Sequence, residues 1–140
     1  MSSVNSLVEQ LIRDEGISLH LYRDTIGKIT IGCGRNLSDC GITQAEATYL
    51  LVNDIQNATD HLAIALPWTG GLDDVRHAAL LNLTFNMGIG ALCAFKKFLA
   101  ALQAEDWKTA RNELLDSQYA KQVGARAQRL AIQFETGIWQ

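Results

Sequence analysis

The chain is 140 residues long and 48% apolar, with 12 basic and 15 acidic residues and a net charge of −3. That is enough for one domain with a sizeable core, too short for two large ones, and too apolar for a disordered chain. The acidic balance argues against a nucleic-acid partner, and no apolar run approaches the roughly 18 residues of a membrane span, so stable membrane insertion is not expected.

Met1-Ser2-Ser3-Val4-Asn5-Ser6 has neither the basic nor the apolar region of a signal peptide, so synthesis in the cytoplasm without a leader is expected. Val4, Leu7, Val8, Leu11 and Ile12 then form one apolar stripe at helical spacing, which predicts a helix over 3–15. Ser2 or Ser3 can cap its start, and Gly16 suits the left-handed residue after its end. The period changes to two at Leu19 and Leu21 and again at Ile29 and Ile31. With the turn Asp24-Thr25-Ile26-Gly27 between them, these runs predict a β-hairpin. Gly32, Gly34 and the stretch 36–41 mark further bends around a third short strand. Thr43-Gln44-Ala45-Glu46 is a capping-box pattern opening a long helix to about Leu66, where Pro67 ends the region. Beyond Gly71 the pattern is helical, with segments near 72–87, 92–103, 105–116 and 124–135.

The predicted fold class is therefore α+β. A small lobe over about 16–42 is joined by a connecting helix over about 43–66 to a larger helical lobe made of 1–15 and 71–140. A cleft between lobes is a common seat for a polymer. Charge is uneven along the chain: residues 1–95 carry 5 basic and 10 acidic residues, and residues 96–140 carry 7 and 5. The second half is thus the better contact for an anionic partner.

Glu15 closes the first helix, Asp24 follows nine residues on in the turn, and Thr30 six residues later in a strand. Singly, each has a structural explanation: Glu is common on exposed helices, Asp favours turns, and Thr favours strands. Together they mean more, because the hairpin folds Asp24 and Thr30 back towards the helix end that bears Glu15. Glycosidic cleavage needs a proton donor on one side of the bond and a carboxylate on the other. These residues supply the donor, the carboxylate and a hydroxyl to hold water. Cys33, Cys40 and Cys93 are too few and odd in number for a disulfide framework, so free thiols are expected, with a Cys33–Cys40 pair as the alternative. His20, His61 and His77 fall outside ligand spacing, so no metal or other cofactor is expected.

At these residues the sequence resembles the phage-type lysozyme (endolysin, muramidase) family. The resemblance is carried by Asp14-Glu15-Gly16, Tyr22-Arg23-Asp24-Thr25 and Thr30-Ile31-Gly32-Cys33-Gly34. It continues through Gly41-Ile42-Thr43 with Glu46-Ala47, Phe85-Asn86-Met87-Gly88, Trp107, Arg126-Ala127-Gln128-Arg129, and Phe134, Thr136, Gly137 and Trp139. It covers nearly the whole chain, and the first three motifs together are specific.

The resemblance implies a lysozyme-like fold and a muramidase that cleaves the β-1,4 bond between N-acetylmuramic acid and N-acetylglucosamine in peptidoglycan. Glu15 would be the general acid, a role that calls for a raised pKa, with partial burial raising it and a nearby Arg126 opposing that. Arg126 would lie near Glu15, either orienting it or serving as a structural salt link between the lobes, with Arg129 near Asp14. Asp24, ionised, and the Thr30 hydroxyl would hold a water against the anomeric carbon. That implies inversion and carboxyl groups roughly 6.5–9.5 Å apart, rather than the 5–5.5 Å of a retaining enzyme. Asn36, Phe85 and Asn86 would line the cleft, with core packing as the other reading of Phe85. Met87 and Trp107 are expected in the core. Arg35 stands where the family often has histidine, so an ionic contact there would not titrate near neutral pH. The implied partner is a peptidoglycan glycan strand met by a monomer that reaches the wall through a holin. The alternatives are a lytic transglycosylase and a catalytically silent wall-binding module.

Overall fold

The structure, a computed structural model, describes residues 3–140. The chain divides into two compact units, Met1–Tyr49 and Leu50–Gln140.

The first unit opens with α1 (Ser3–Glu15), the helix the stripe predicted. Gly16 (φ +74°) stops it in the left-handed conformation while donating its N–H to the Ile12 carbonyl at 2.8 Å. Of the two capping candidates, Ser3 is the first described helical residue and Ser2 lies outside the described residues. Strands β1 (Ser18–Arg23), β2 (Ile29–Gly32) and β3 (Arg35–Asn36) form an antiparallel sheet in that order. Tyr22 pairs with Thr30, Arg23 with Ile29, and Thr30 on its other side with Asn36. The third strand is thus present, but the bends after it contain a helix that the sequence did not announce, α2 (Leu37–Cys40). Its N-cap is Asn36, whose side chain accepts from the Asp39 N–H. That capping use of Asn is indistinguishable by composition from a turn. Thr43 and Glu46 form the predicted capping box. The Glu46 N–H donates to Thr43 Oγ1 at 3.1 Å and the Thr43 N–H to Glu46 Oε1 at 2.9 Å, opening α3 (Gln44–Ala65).

The second unit carries a 3-10 turn at Pro67–Gly71 and then α4 (Asp74–Met87), α5 (Ile89–Cys93), α6 (Lys96–Gln103), α7 (Trp107–Leu115), α8 (Gln118–Val123) and α9 (Ala125–Thr136). Two expectations need correcting. The single helix expected over 92–103 is two, because Phe95 leaves the helical conformation (φ −80°, ψ 55°). Its ring lies edge-on against Phe98, with centroids 5.3 Å apart. Helix α8 was not foreseen; Ser117 caps it through the Ala120 N–H, without an apolar stripe to advertise it.

The core of this unit gathers Leu62, Leu80, Leu83, Leu92, Phe98, Leu102, Leu114, Leu130 and Phe134. Each such side chain contributes about 1.5–3 kcal/mol on burial. Phe98 and Phe134 meet edge to face at 5.1 Å. Met87 and Trp107 pack against this cluster, as expected of them. Arg76 closes the end of α9. It donates Nε to the Phe134 carbonyl at 2.6 Å and Nη2 to the Glu135 carbonyl at 2.9 Å, with its guanidinium 3.9 Å from the centre of the Trp107 ring. These are the orphan carbonyls every helix C-terminus leaves, and a guanidinium has enough donors to satisfy two at once.

Candidate functional site

In the first unit the β1–β2 turn places two of the three predicted catalytic residues on one small framework. Gly27 (φ +85°) turns the chain, its N–H reaching the Asp24 carbonyl at 3.0 Å. The Asp24 side chain folds over this turn, and its Oδ1 accepts from the N–H of Ile26 at 3.0 Å and of Lys28 at 2.8 Å. One carboxylate oxygen is therefore committed to the backbone. The other, Oδ2, has no partner among the described residues. Thr30, buried at 3% exposure, donates its only hydroxyl proton to the Lys28 carbonyl at 3.0 Å. That same carbonyl accepts from the Asp24 N–H at 2.9 Å. What remains at the two side chains is acceptor capacity, a free carboxylate oxygen and the lone pairs of a hydroxyl.

Glu15 is the last residue of α1, in the same unit, and is exposed. It makes no hydrogen bond or ion pair among the described residues. Asp14 beside it accepts from Arg13 at 3.1 Å. Asn36, expected to meet sugar, pairs with Thr30 in the sheet and uses both ends of its amide on Asp39: Oδ1 accepts from the N–H at 3.1 Å and Nδ2 donates to Oδ2 at 2.9 Å. Arg35 forms a two-pronged ion pair with Glu46 at 3.0 and 2.8 Å and donates to the Gly41 carbonyl at 3.1 Å. The guanidinium and the Thr43 N–H hold the Glu46 carboxyl down at about 2, and Glu46 in turn raises Arg35. The contact predicted to be free of histidine titration is therefore made. The cysteines are free thiols, and Cys33 Sγ lies 3.5 Å from the Leu11 carbonyl, linking hairpin to α1.

Phe85, Asn86 and Arg126 belong to the second unit. Phe85 is 49% exposed, so it is not a core residue. It lines a groove of about 360 Å³ with Leu51, Ile55, Leu81, Asn82 and Arg126. Arg126 donates Nε and Nη2 to Asn82 Oδ1 at 3.1 and 2.7 Å. Asn86 is exposed near the end of α4. The structure thus joins Asp24, Thr30 and Asn36 through hydrogen bonds and pairing in one unit, and Phe85 and Arg126 around one groove in the other.

The phage lysozyme family profile matches residues 13–132. The chain belongs to the phage lysozyme family. The match contains each of the residues singled out above, from Glu15 to Arg126. Among its relatives, the pre-baseplate central spike protein Gp5 of Enterobacteria phage T4 is 30% identical over 94% of this chain, which spans only 28% of that protein. Two probable T4-type lysozymes of Dictyostelium discoideum are each 28% identical over 96% of both chains. The mostly helical α+β arrangement is the lysozyme-like one the sequence predicted. The sequence missed the part played by Lys28, whose backbone joins Asp24 to Thr30. A lysine after a turn glycine has an ordinary explanation, and only the hydrogen-bond pattern distinguishes it.

Proposed function

We propose that the protein is a muramidase that hydrolyses the β-1,4 bond between N-acetylmuramic acid and N-acetylglucosamine in bacterial peptidoglycan, with inversion. Glu15 donates its proton to the bridging oxygen as the bond from that oxygen to C1 breaks. A water placed between Asp24 and Thr30 then adds its oxygen to C1 and gives up one proton to Asp24. The two carboxyl groups exchange roles as net donor and acceptor, and the enzyme is reset by proton exchange with solvent.

The observation that carries this reading is the commitment of donors around Lys28. With its own proton spent on the Lys28 carbonyl, Thr30 meets a water only as an acceptor. With Oδ1 held by two N–H groups, Asp24 meets it through Oδ2, also an acceptor. A water between two acceptors directs both protons at the protein and turns a lone pair outward, the orientation a nucleophile needs. Direct attack by Asp24 would need no such hydroxyl.

Phe85 and Asn86 are assigned to sugar contacts, Phe85 on the strength of its exposed ring and groove, and Asn36 to a lesser contact through the one amide hydrogen and one lone pair that Asp39 leaves over. Arg126 is assigned a supporting role in orienting groups at the cleft. The family resemblance adds a monomeric enzyme of phage-type lysis that reaches the wall through a holin. The deciding experiment is digestion of purified peptidoglycan in ¹⁸O-labelled water. The expected products are reducing N-acetylmuramic ends, labelled once and initially of inverted configuration. Glu15→Gln should lower turnover on the order of 10²–10⁴-fold. Unlabelled 1,6-anhydro ends would replace hydrolysis by lytic transglycosylation. Wild-type binding with no turnover in either protein would make it a wall-binding module.

A further inference from the structure

We propose that Lys28 is a positioning residue for the water-holding pair, and that its ammonium does this through an ion pair with Asp39. The inference rests on the assignment of Asp24 and Thr30 above and adds a residue to it.

The backbone of residue 28 touches both groups. Its N–H fixes Asp24 Oδ1 at 2.8 Å, and its carbonyl takes the Asp24 N–H at 2.9 Å and the Thr30 hydroxyl at 3.0 Å. Whatever tilts this residue re-aims both acceptors. It directly follows Gly27, whose backbone has the widest conformational range of any residue, so the turn alone gives it weak direction. Its side chain supplies the rest. Lys28 Nζ lies 3.0 Å from Asp39 Oδ1. The other oxygen of Asp39 accepts from Asn36 Nδ2 at 2.9 Å, and Asn36 is the strand partner of Thr30. Next to it, Ser38 Oγ accepts from the Ile29 N–H at 2.9 Å. A closed circuit therefore runs from Thr30 to Lys28, Asp39, Asn36 and back to Thr30, locking the turn against α2.

Stability is not the reason for such a link, because both side chains are more than a third exposed (39% and 55%) and such pairs contribute little. Geometry is a better reason, since misplacing reacting groups by about 1 Å can cost on the order of 10²-fold in rate. A weak tie that fine-tunes the aim of the Lys28 backbone matters to turnover before it matters to folding.

The test compares Lys28→Met, Asp39→Asn, the double variant and Lys28→Arg in turnover of soluble glycan fragments, beside wild type and Glu15→Gln. Each single loss of the pair should lower kcat about 5–20-fold with KM within about two-fold. The double variant should be no slower than the worse single one, because both break the same link. Lys28→Arg should restore most of the rate, and the Lys28 amide should exchange its hydrogen faster in Lys28→Met and Asp39→Asn than in wild type. Wild-type kcat in both single variants, losses that multiply in the double, a loss confined to KM, or unchanged amide exchange would each overturn the proposal. If Glu15→Gln is inactive while the Lys28 variants are normal, only the role of Lys28 fails. If Glu15→Gln turns over like wild type, the muramidase reading fails first.

Discussion

In the hairpin unit Thr30 is the one buried residue among those described, and side-chain hydrogen bonds and ion pairs hold the shape: Asp24 on two N–H groups, Lys28 on Asp39, Arg35 on Glu46. In the helical unit the side chains of Leu80, Leu83, Phe98 and Phe134 are fully buried, and polar groups such as Arg76 finish helix ends at the margin. Polar ties are directional but individually weak, whereas apolar packing is strong and indifferent to the exact aim of any one atom. In the proposed mechanism the hairpin unit aims acceptors at a water, a task served by the first kind. A unit that must remain folded around a groove is served by the second.

Substitutions should therefore separate stability from turnover. The largest stability effect is expected from Phe134→Ala, which empties the centre of the helical core and should cost about 3–5 kcal/mol in urea unfolding. A loss below about 1.5 kcal/mol would mean the core collapses around the gap, and the contrast would weaken. Thr30→Val keeps shape and removes the hydroxyl. It should lower turnover on the order of 10²-fold while changing stability by about 1 kcal/mol or less. Equal effects on both would break the comparison. Asp106→Ala removes the cap of α7, where the carboxylate accepts from the Thr109 N–H and hydroxyl at 3.2 and 2.7 Å. It should cost about 1 kcal/mol with kcat unchanged.

The smallest effect concerns Glu46, whose carboxyl sits at about 2 against an ordinary 4.5. A depressed carboxylate stabilises the fold above its unfolded pKa and loses that contribution as pH falls through the folded one. The stability difference between wild type and Glu46→Gln should hence be constant above about pH 4.5 and shrink between about pH 4.5 and pH 2. Urea midpoints across that range check it; a difference independent of pH would show that the ion pair is idle.

Most of the fold was legible because its signals are local. The α1 stripe, the hairpin turn and the Thr43–Glu46 capping box each lie within one stretch of chain and mean the same thing in any context. Helices α2 and α8 are short and rest on single caps, Asn36 and Ser117, which composition cannot tell from turns. The break at Phe95 depends on where a ring finds its partners, a tertiary fact. At the site, residue types and spacing pointed to Glu15, Asp24 and Thr30. The direction in which Thr30 donates was invisible, because it depends on a carbonyl two residues back rather than on a side chain. Asn36 shows the converse: a residue chosen for its amide chemistry also caps a helix, with one donor and one acceptor of that amide held by Asp39.

The Arg35–Glu46 tie has a consequence for how the protein can be perturbed. One partner titrates near the acid extreme and the other beyond the basic one, so ordinary changes of pH leave both charged. Both side chains are nonetheless about 40% exposed, within reach of mobile counterions. Ionic strength, rather than acidity, is the dial that loosens β3 from the start of the long helix, and a dilute medium is where the hairpin is held tightest.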